Sequence, residues 1–311
     1  MSKFIGDFPR TFAAILTVVL IIGASAAAFM LFVPQLNKSG KLQVVATFYP
    51  LYFFSSEIAG DKADVYTMIP DNIEPHSWEP TPSDLIEVSE AQVLVFNGMG
   101  FEPWIDSFLA AIHNPGLIKV DTSVGIPIIP SQEQDHAGGD PHFWLDPLSA
   151  KIQVQNILQA FNRADPANAT FYTNNADALM QRLDQLNQDF ANGLANRTKN
   201  AIVTTHEGFN YMAKRFGFDA YAAVGISADQ QPSPQDMARL TDLVNGLGLH
   251  YVFSEPVYLD AVMEIIAVET GAKVLVLDGV HGRAGVHAHM DYFEIMYSNL
   301  DSLKIGLEVV Q

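Results

Sequence analysis

The sequence predicts an α/β protein of two βα lobes with mainly parallel sheets, joined by one long rigid linker helix. Short apolar runs alternate with helical segments between residues 42 and 98, the pattern of βαβ units. The same alternation restarts after residue 200. Between the two stretches, Tyr172, Ala176, Leu179, Leu183, Leu186 and Phe190 recur at spacings of four and three, which lines one face of a helix.

Taken in order, LQVVATFYP (Leu42–Pro50) reads as a buried strand stopped by proline, Tyr52–Ala59 as a short helix and ADVYTMIP (Ala63–Pro70) as a second strand. Asp71–Pro82 is too polar and proline-rich for a regular element and is expected to be a loop at a strand end. Ser83 is the expected N-cap of a helix through Glu90, and AQVLVFNG (Ala91–Gly98) the third strand. A second Pro/Gly/polar loop covers Ile126–Pro141. Asp165-Pro166 opens the long helix, which is about 40 Å long if it reaches Asn192. Strands then follow at Ala201–His206, Tyr221–Gly225, His250–Pro256 and Ala272–Asp278, with helices at Phe209–Phe216, Pro234–Leu247 and Val257–Thr270. The expected domains are 1–40 as anchor or signal segment plus tether, 41–165 as first lobe, 166–198 as linker helix and 199–311 as second lobe.

Seventeen basic residues against thirty-five acidic ones give a formal charge of −18, which argues against nucleic acid as a partner. The absence of cysteine excludes disulfides, Cys-ligated zinc, a Cys nucleophile and a lipid-modified cysteine. From Thr11 to Val33 the chain carries no charge, after Lys3 and Arg10. Twenty-three helical residues span about 35 Å, enough for a hydrocarbon core of about 30 Å. We read this as an uncleaved membrane anchor with the rest of the chain outside the cell. A cleaved signal peptide, with Ala24-Ser25-Ala26 as its site, is the competing reading.

Four chemically apt residues sit where strands end. His76 lies in the loop DNIEPHSWEP, His142 in GDPHFWLDP, His206 closes AIVTTH and Asp278 closes AKVLVLD. Ligands of open α/β sheets collect beyond the carboxyl ends of the strands, so facing lobes could bring these together. Zinc accepts imidazole nitrogen and carboxylate oxygen in a tetrahedron, and three imidazoles with one carboxylate leave a site of charge +1. For any one of these histidines alone, an ordinary hydrogen-bonded loop or core residue is the better reading. No short motif links them, so the residues by themselves reach only a His-rich metal site between lobes.

Six segments carry more. EPHSWEPTPSD (Glu74–Asp84), NGMGFEPWID (Asn97–Asp106), DPHFWLDP (Asp140–Pro147), THEGFNYMAKRFGF (Thr205–Phe218), GISADQQPSPQDMARL (Gly225–Leu240) and FSEPVYLDAVMEIIAVETGAKVLVLD (Phe253–Asp278) follow one another. Together they resemble the metal-binding receptors of zinc and manganese ABC importers, the cluster A-I or cluster 9 solute-binding proteins. The resemblance covers residues 42 to 305 and implies metal ligands at His76, His142, His206 and Asp278. It further implies Zn²⁺ as the transported ligand, since zinc-type members place His where manganese-type members place Glu at position 206. Mn²⁺ is the alternative cargo.

By this resemblance the chain is an extracytoplasmic receptor that hands its ion to an ABC permease and its ATPase, tethered through its N-terminal helix, and is no enzyme. The family's His/Asp-rich loop before the second ligand is short here, with only Asp135, His136 and Asp140. After Asp278 the chain departs from the family with DGVHGRAGVHAHMDYF. Its His281, His287 and His289 read as an exposed variant loop, or else as metal-gathering groups, with His281 competing with Asp278 as a ligand. Two further readings are a zinc hydrolase with Glu207 as general base, which Asp278 would oppose by filling the open position, and a metal-binding adhesin.

Overall fold

Proline and capping chemistry decide where the first elements begin. The computed structural model describes residues 40–131, 138–227, 231–256 and 261–310. The segment 11–33, and with it the anchor reading, lies outside them, as do Asp135, His136 and residues 257–260. Among the described residues no helix is long and apolar enough to cross a membrane. Strand β1 (Leu42–Ala46) ends before the expected proline stop, because Tyr49 already opens helix α1 (Tyr49–Ala59) with Pro50 in its first turn. A proline fits there, where its missing N–H would have had no partner. After β2 (Ala63–Thr67), helix α2 (Pro82–Glu90) is capped by Thr81 rather than Ser83. Thr81 and Asp84 form a reciprocal capping box, and Pro82 takes the first helical position.

Strand β3 (Val93–Phe96), helix α3 (Ile105–Ala111) and strand β4 (Ile118–Asp121) complete a four-stranded parallel sheet in the order β2-β1-β3-β4. Val44 pairs with Val65 on one side and Val93 on the other. All four residues of β3 are buried, as expected of a parallel strand covered on both faces. Helix α4 (Pro147–Ala164), to which the sequence reading assigned no element, follows, capped by Asp146. A short 3-10 turn at Pro166–Asn168 leads into α5 (Ala169–Gly193), the long expected helix, whose six stripe residues are all buried.

The second half pairs β5 (Ala201–Thr204) with β6 (Asp219–Ala222) and β7 (Tyr251–Ser254) with β8 (Lys273–Val276), both in parallel, with β5 beside β7. Helices α6 (Asn210–Phe216), α7 (Pro234–Leu247) and α8 (Ala261–Thr270) lie between these strands, and α9 (Tyr292–Gly306), also unassigned from sequence, closes the chain. One apolar cluster runs from Val44 and Phe54 through Ile157, Leu183 and Phe190 to Phe253 and Leu303. A second, with Val203, Val244, Val252 and Ile266, fills the space under α7 and α8. The described residues from Leu42 onward form one compact unit.

Candidate metal centre

Three of the expected side chains meet, each delivered by a different segment. His76 stands in the loop after β2 and is half-buried, whereas His142 and His206 are completely buried. His142 precedes the 3-10 turn Phe143–Leu145 that feeds α4. His206 sits two residues past β5, where Gly208 leaves room for its ring: a Cβ at that position would run into the His206 Nε2 and Cε1 atoms. The Nε2 atom of His142 is 3.2 Å from that of His76 and 3.2 Å from that of His206.

Carboxylates behind two of these rings fix which nitrogen faces inward. The Nδ1 of His142 donates to Asp140 Oδ1 at 2.8 Å, and the His142 backbone N–H donates to the same oxygen. The Nδ1 of His206 donates to Glu255 Oε1. Both carboxylates are buried. With Nδ1 protonated, a neutral imidazole presents its Nε2 lone pair, so two lone pairs face each other at 3.2 Å. That contact is repulsive unless a proton or a metal cation stands between them. Tetrahedral bonds of about 2.0–2.1 Å place neighbouring nitrogens about 3.3 Å apart, so the spacing suits one zinc-sized ion.

Asp278, the fourth expected ligand, turns elsewhere. Its Oδ1 accepts from the backbone N–H of Val280 at 2.7 Å and its Oδ2 from His287 Nδ1 at 2.7 Å. The fourth imidazole is that of His281, which is 4% exposed and therefore no part of an exposed loop. Its ring centroid lies 5.4 Å from those of His142 and His206 and 5.9 Å from that of His76. Donor atoms of His76, His142 and His281 lie within 4.8 Å of one another, and so do those of His206, Glu255 and His281. The signal that could have identified His281 is the pair of glycines around it. A Cβ at Gly279 would approach Glu255 Oε2 at 2.6 Å and His281 Nδ1 at 2.8 Å. His287 is also buried, its Nε2 paired with Ser298 Oγ, so of the three histidines here His289 alone is exposed.

The electrostatics prepare the rings for a cation. Burial depresses the His206 pKa, but the charge and hydrogen bond of Glu255 outweigh it and the net direction is upward. Burial, then the neighbouring His206, His142 and His76, push His281 well below its ordinary value, which keeps it neutral and ready to ligate. Four imidazoles would leave a dication's charge intact, and the carboxylates of Asp140 and Glu255 would balance it one bond further out. Glu207, the prospective general base of the hydrolase reading, accepts from Asn210 Nδ2 and Ser131 Oγ.

Aromatic rings and a polar network form the wall. Phe101 stands edge-on to His76 with centroids 4.7 Å apart and parallel to His281 at 6.4 Å. Its neighbour Glu102 is buried and accepts from Thr47 Oγ1, Asn97 N and Gly98 N; burial pushes its pKa up to about 7. Asn97 in turn donates to the Pro141 carbonyl beside His142.

Two parallel-stranded halves around a buried imidazole cluster define a metal-capturing receptor. The chain belongs to the family described as zinc-uptake complex component A, periplasmic, whose profile matches residues 44–306. It is 32% identical over 286 residues to the high-affinity zinc uptake system protein ZnuA of Bacillus subtilis (strain 168), covering 88% of this chain and 90% of that one. The zinc-binding lipoprotein AdcA of Streptococcus pneumoniae (strain ATCC BAA-255 / R6) is 29% identical over 283 residues, 87% of this chain but only 56% of its own length. The Zn(II)-bound ZnuA-like domain of Streptococcus pneumoniae AdcA superposes with a TM-score of 0.75 at 29% identity, over 86% of this chain and all of that one. The chain is accordingly a solute-binding receptor of an uptake system and not an enzyme.

Proposed function

We propose that this receptor captures Zn²⁺ outside the cytoplasm through the Nε2 atoms of His76, His142 and His206 and a ring nitrogen of His281, and delivers it to the permease and ATPase of an ABC importer. The 3.2 Å approach of the His142 Nε2 to those of both His76 and His206 carries the reading, because one cation bound between the rings would satisfy their inward-facing nitrogens. His281 replaces Asp278 in the ligand set that the family resemblance implied. Nitrogen donors favour zinc over manganese in the order of divalent affinities. The segment 11–33 tethers the receptor to the membrane beside its permease, in line with the lipoprotein name of AdcA.

Metal analysis of the purified protein, together with zinc titration of His142→Ala, His206→Ala and His281→Ala, tests the assignment. One zinc per chain and a loss of affinity in each variant are expected. Wild-type affinity in His206→Ala, or a stoichiometric preference for manganese over zinc, would overturn it.

A further inference from the structure

We infer that Asp278 and His287 are positioning residues which hold His281 in the coordination sphere, an inference that rests on the four-imidazole reading. Asp278 is fully buried at the end of β8, and its main chain is gripped on both sides by one amide: Asn299 Oδ1 accepts from its N–H, and Asn299 Nδ2 donates to its carbonyl, both at 2.8 Å. The carboxylate so anchored spends one oxygen on Val280 N–H and the other on His287 Nδ1, and His287 Nε2 reaches Ser298 Oγ at 3.0 Å. Asp278 thus joins β8, the turn that carries His281 and helix α9 in one chain of hydrogen bonds.

That chain holds a conformation the backbone would not adopt unaided. Val280 has φ +55°, a left-handed value that a β-branched residue strongly resists. The turn points the next side chain, His281, toward the other three rings. A short bond from the Val280 N–H to a fixed carboxylate holds the turn, together with Trp144 Nε1, which donates to the Gly279 carbonyl at 2.8 Å. Without the carboxylate the turn can relax and withdraw the imidazole. His287 in its turn keeps the carboxylate aimed at Val280, since loss of its Nδ1–H would free Oδ2 to rotate.

Full-length protein loaded with Co²⁺ gives a readout that mere loss of stability would not imitate, because its visible absorption reports the donor set. The His281→Ala spectrum defines the site lacking that ring. His287→Ala is expected to weaken zinc binding about 10- to 100-fold and to shift the Co²⁺ spectrum toward that of His281→Ala. His287→Asn, whose amide can still donate to Asp278, is expected to restore both. In a His281→Ala background, Asp278→Ala should cause no further loss. Wild-type affinity and spectrum in His287→Ala would overturn the positioning role, and an added loss from Asp278→Ala in the His281→Ala background would make Asp278 a ligand itself. A wild-type Co²⁺ spectrum in His281→Ala would instead remove the four-imidazole reading. Should Asp278→Ala fail to fold, the two His287 variants carry the test alone.

Discussion

Asp71 and Arg283 form an ion pair between the loop of His76 and the turn of His281, with Asp71 Oδ2 accepting from both Nε and Nη2 of the arginine at 3.0 and 2.9 Å. Asp71 opens the loop that carries His76, and Arg283 follows His281 by two residues. Gly282 lies so close to the Asp71 main chain that any side chain there would collide with it. The two loops are therefore fastened at the point where their imidazoles meet. A partly exposed pair of this kind is worth about 0.2–1 kcal/mol, which at most corresponds to a fivefold change in a rate. Arg283→Ala should leave the melting temperature almost unchanged and accelerate zinc release into excess chelator up to about fivefold in stopped flow. An unchanged release rate would show that the pair does not hold the loops closed.

Zinc affinity should decline with acidity earlier than an isolated histidine would suggest. Glu255 raises the His206 pKa over the opposing effect of burial, so protons compete for this ring already above pH 6.5. The sign for the metal-free fold is the reverse. A His raised above its unfolded value contributes stability that is full below 6.5 and lost as pH climbs through the folded pKa. The rise in melting temperature on adding zinc should therefore grow between pH 6.5 and 8. Glu255→Gln should move the decline in affinity to lower pH and weaken binding at pH 8, because half of the compensating charge is gone. Titrations from pH 8 to 5.5 that coincide for the two proteins would contradict this.

Glu102 imposes a different pH dependence on the protein itself. Its folded pKa, about 7, stands above the unfolded 4.5 because the carboxyl is buried. A carboxyl raised in this direction favours the folded state while protonated, and that advantage is lost as pH rises from 4.5 to 7. The full effect is on the order of 3 kcal/mol. Urea unfolding of metal-free protein should show lower stability at pH 8 than at pH 5, with the slope flattened in Glu102→Gln. Parallel slopes for the two proteins would assign the dependence to other groups.

Gly279→Ala should disable the site without touching a ligand. The added Cβ would come within 2.8 Å of the Glu255 carboxylate and the His281 ring, both held in place by buried neighbours. Loss of zinc affinity comparable to that of His281→Ala, with far-ultraviolet circular dichroism preserved, is the expected result. Normal binding in this variant would mean that the His281 turn is free to shift.

The parts of this structure legible in the sequence are those with a repeated signal. The α5 stripe from Tyr172 to Phe190 repeats six times, and every member is buried as its spacing foretells. Helix α4 carries the same kind of stripe in Ala150, Val154, Ile157 and Phe161, but buried Ser149 and Gln153 interrupt it. Gln153 is inside because Asn97 and Thr122 accept its amide, a pairing that no local pattern reveals. His76, His142 and His206 were readable as strand-end histidines and were sharpened by the motifs around them. That His281 rather than Asp278 faces the other rings stood in the sequence only as one of two open alternatives. It depends on a left-handed turn at a valine, which propensity opposes, and on a buried carboxylate that serves the main chain instead of the ion.

Of the four imidazoles that of His76 is the most exposed, on a loop without helix or strand between Pro70 and Pro80. Release from the proposed site would therefore begin at this ring while the other three stay buried. A partner that tugs the His76 loop would turn a tight trap into a leaky one, and the receptor could surrender its cargo without its halves parting. His76→Ala should accordingly speed metal exchange more than any other single loss in the quartet.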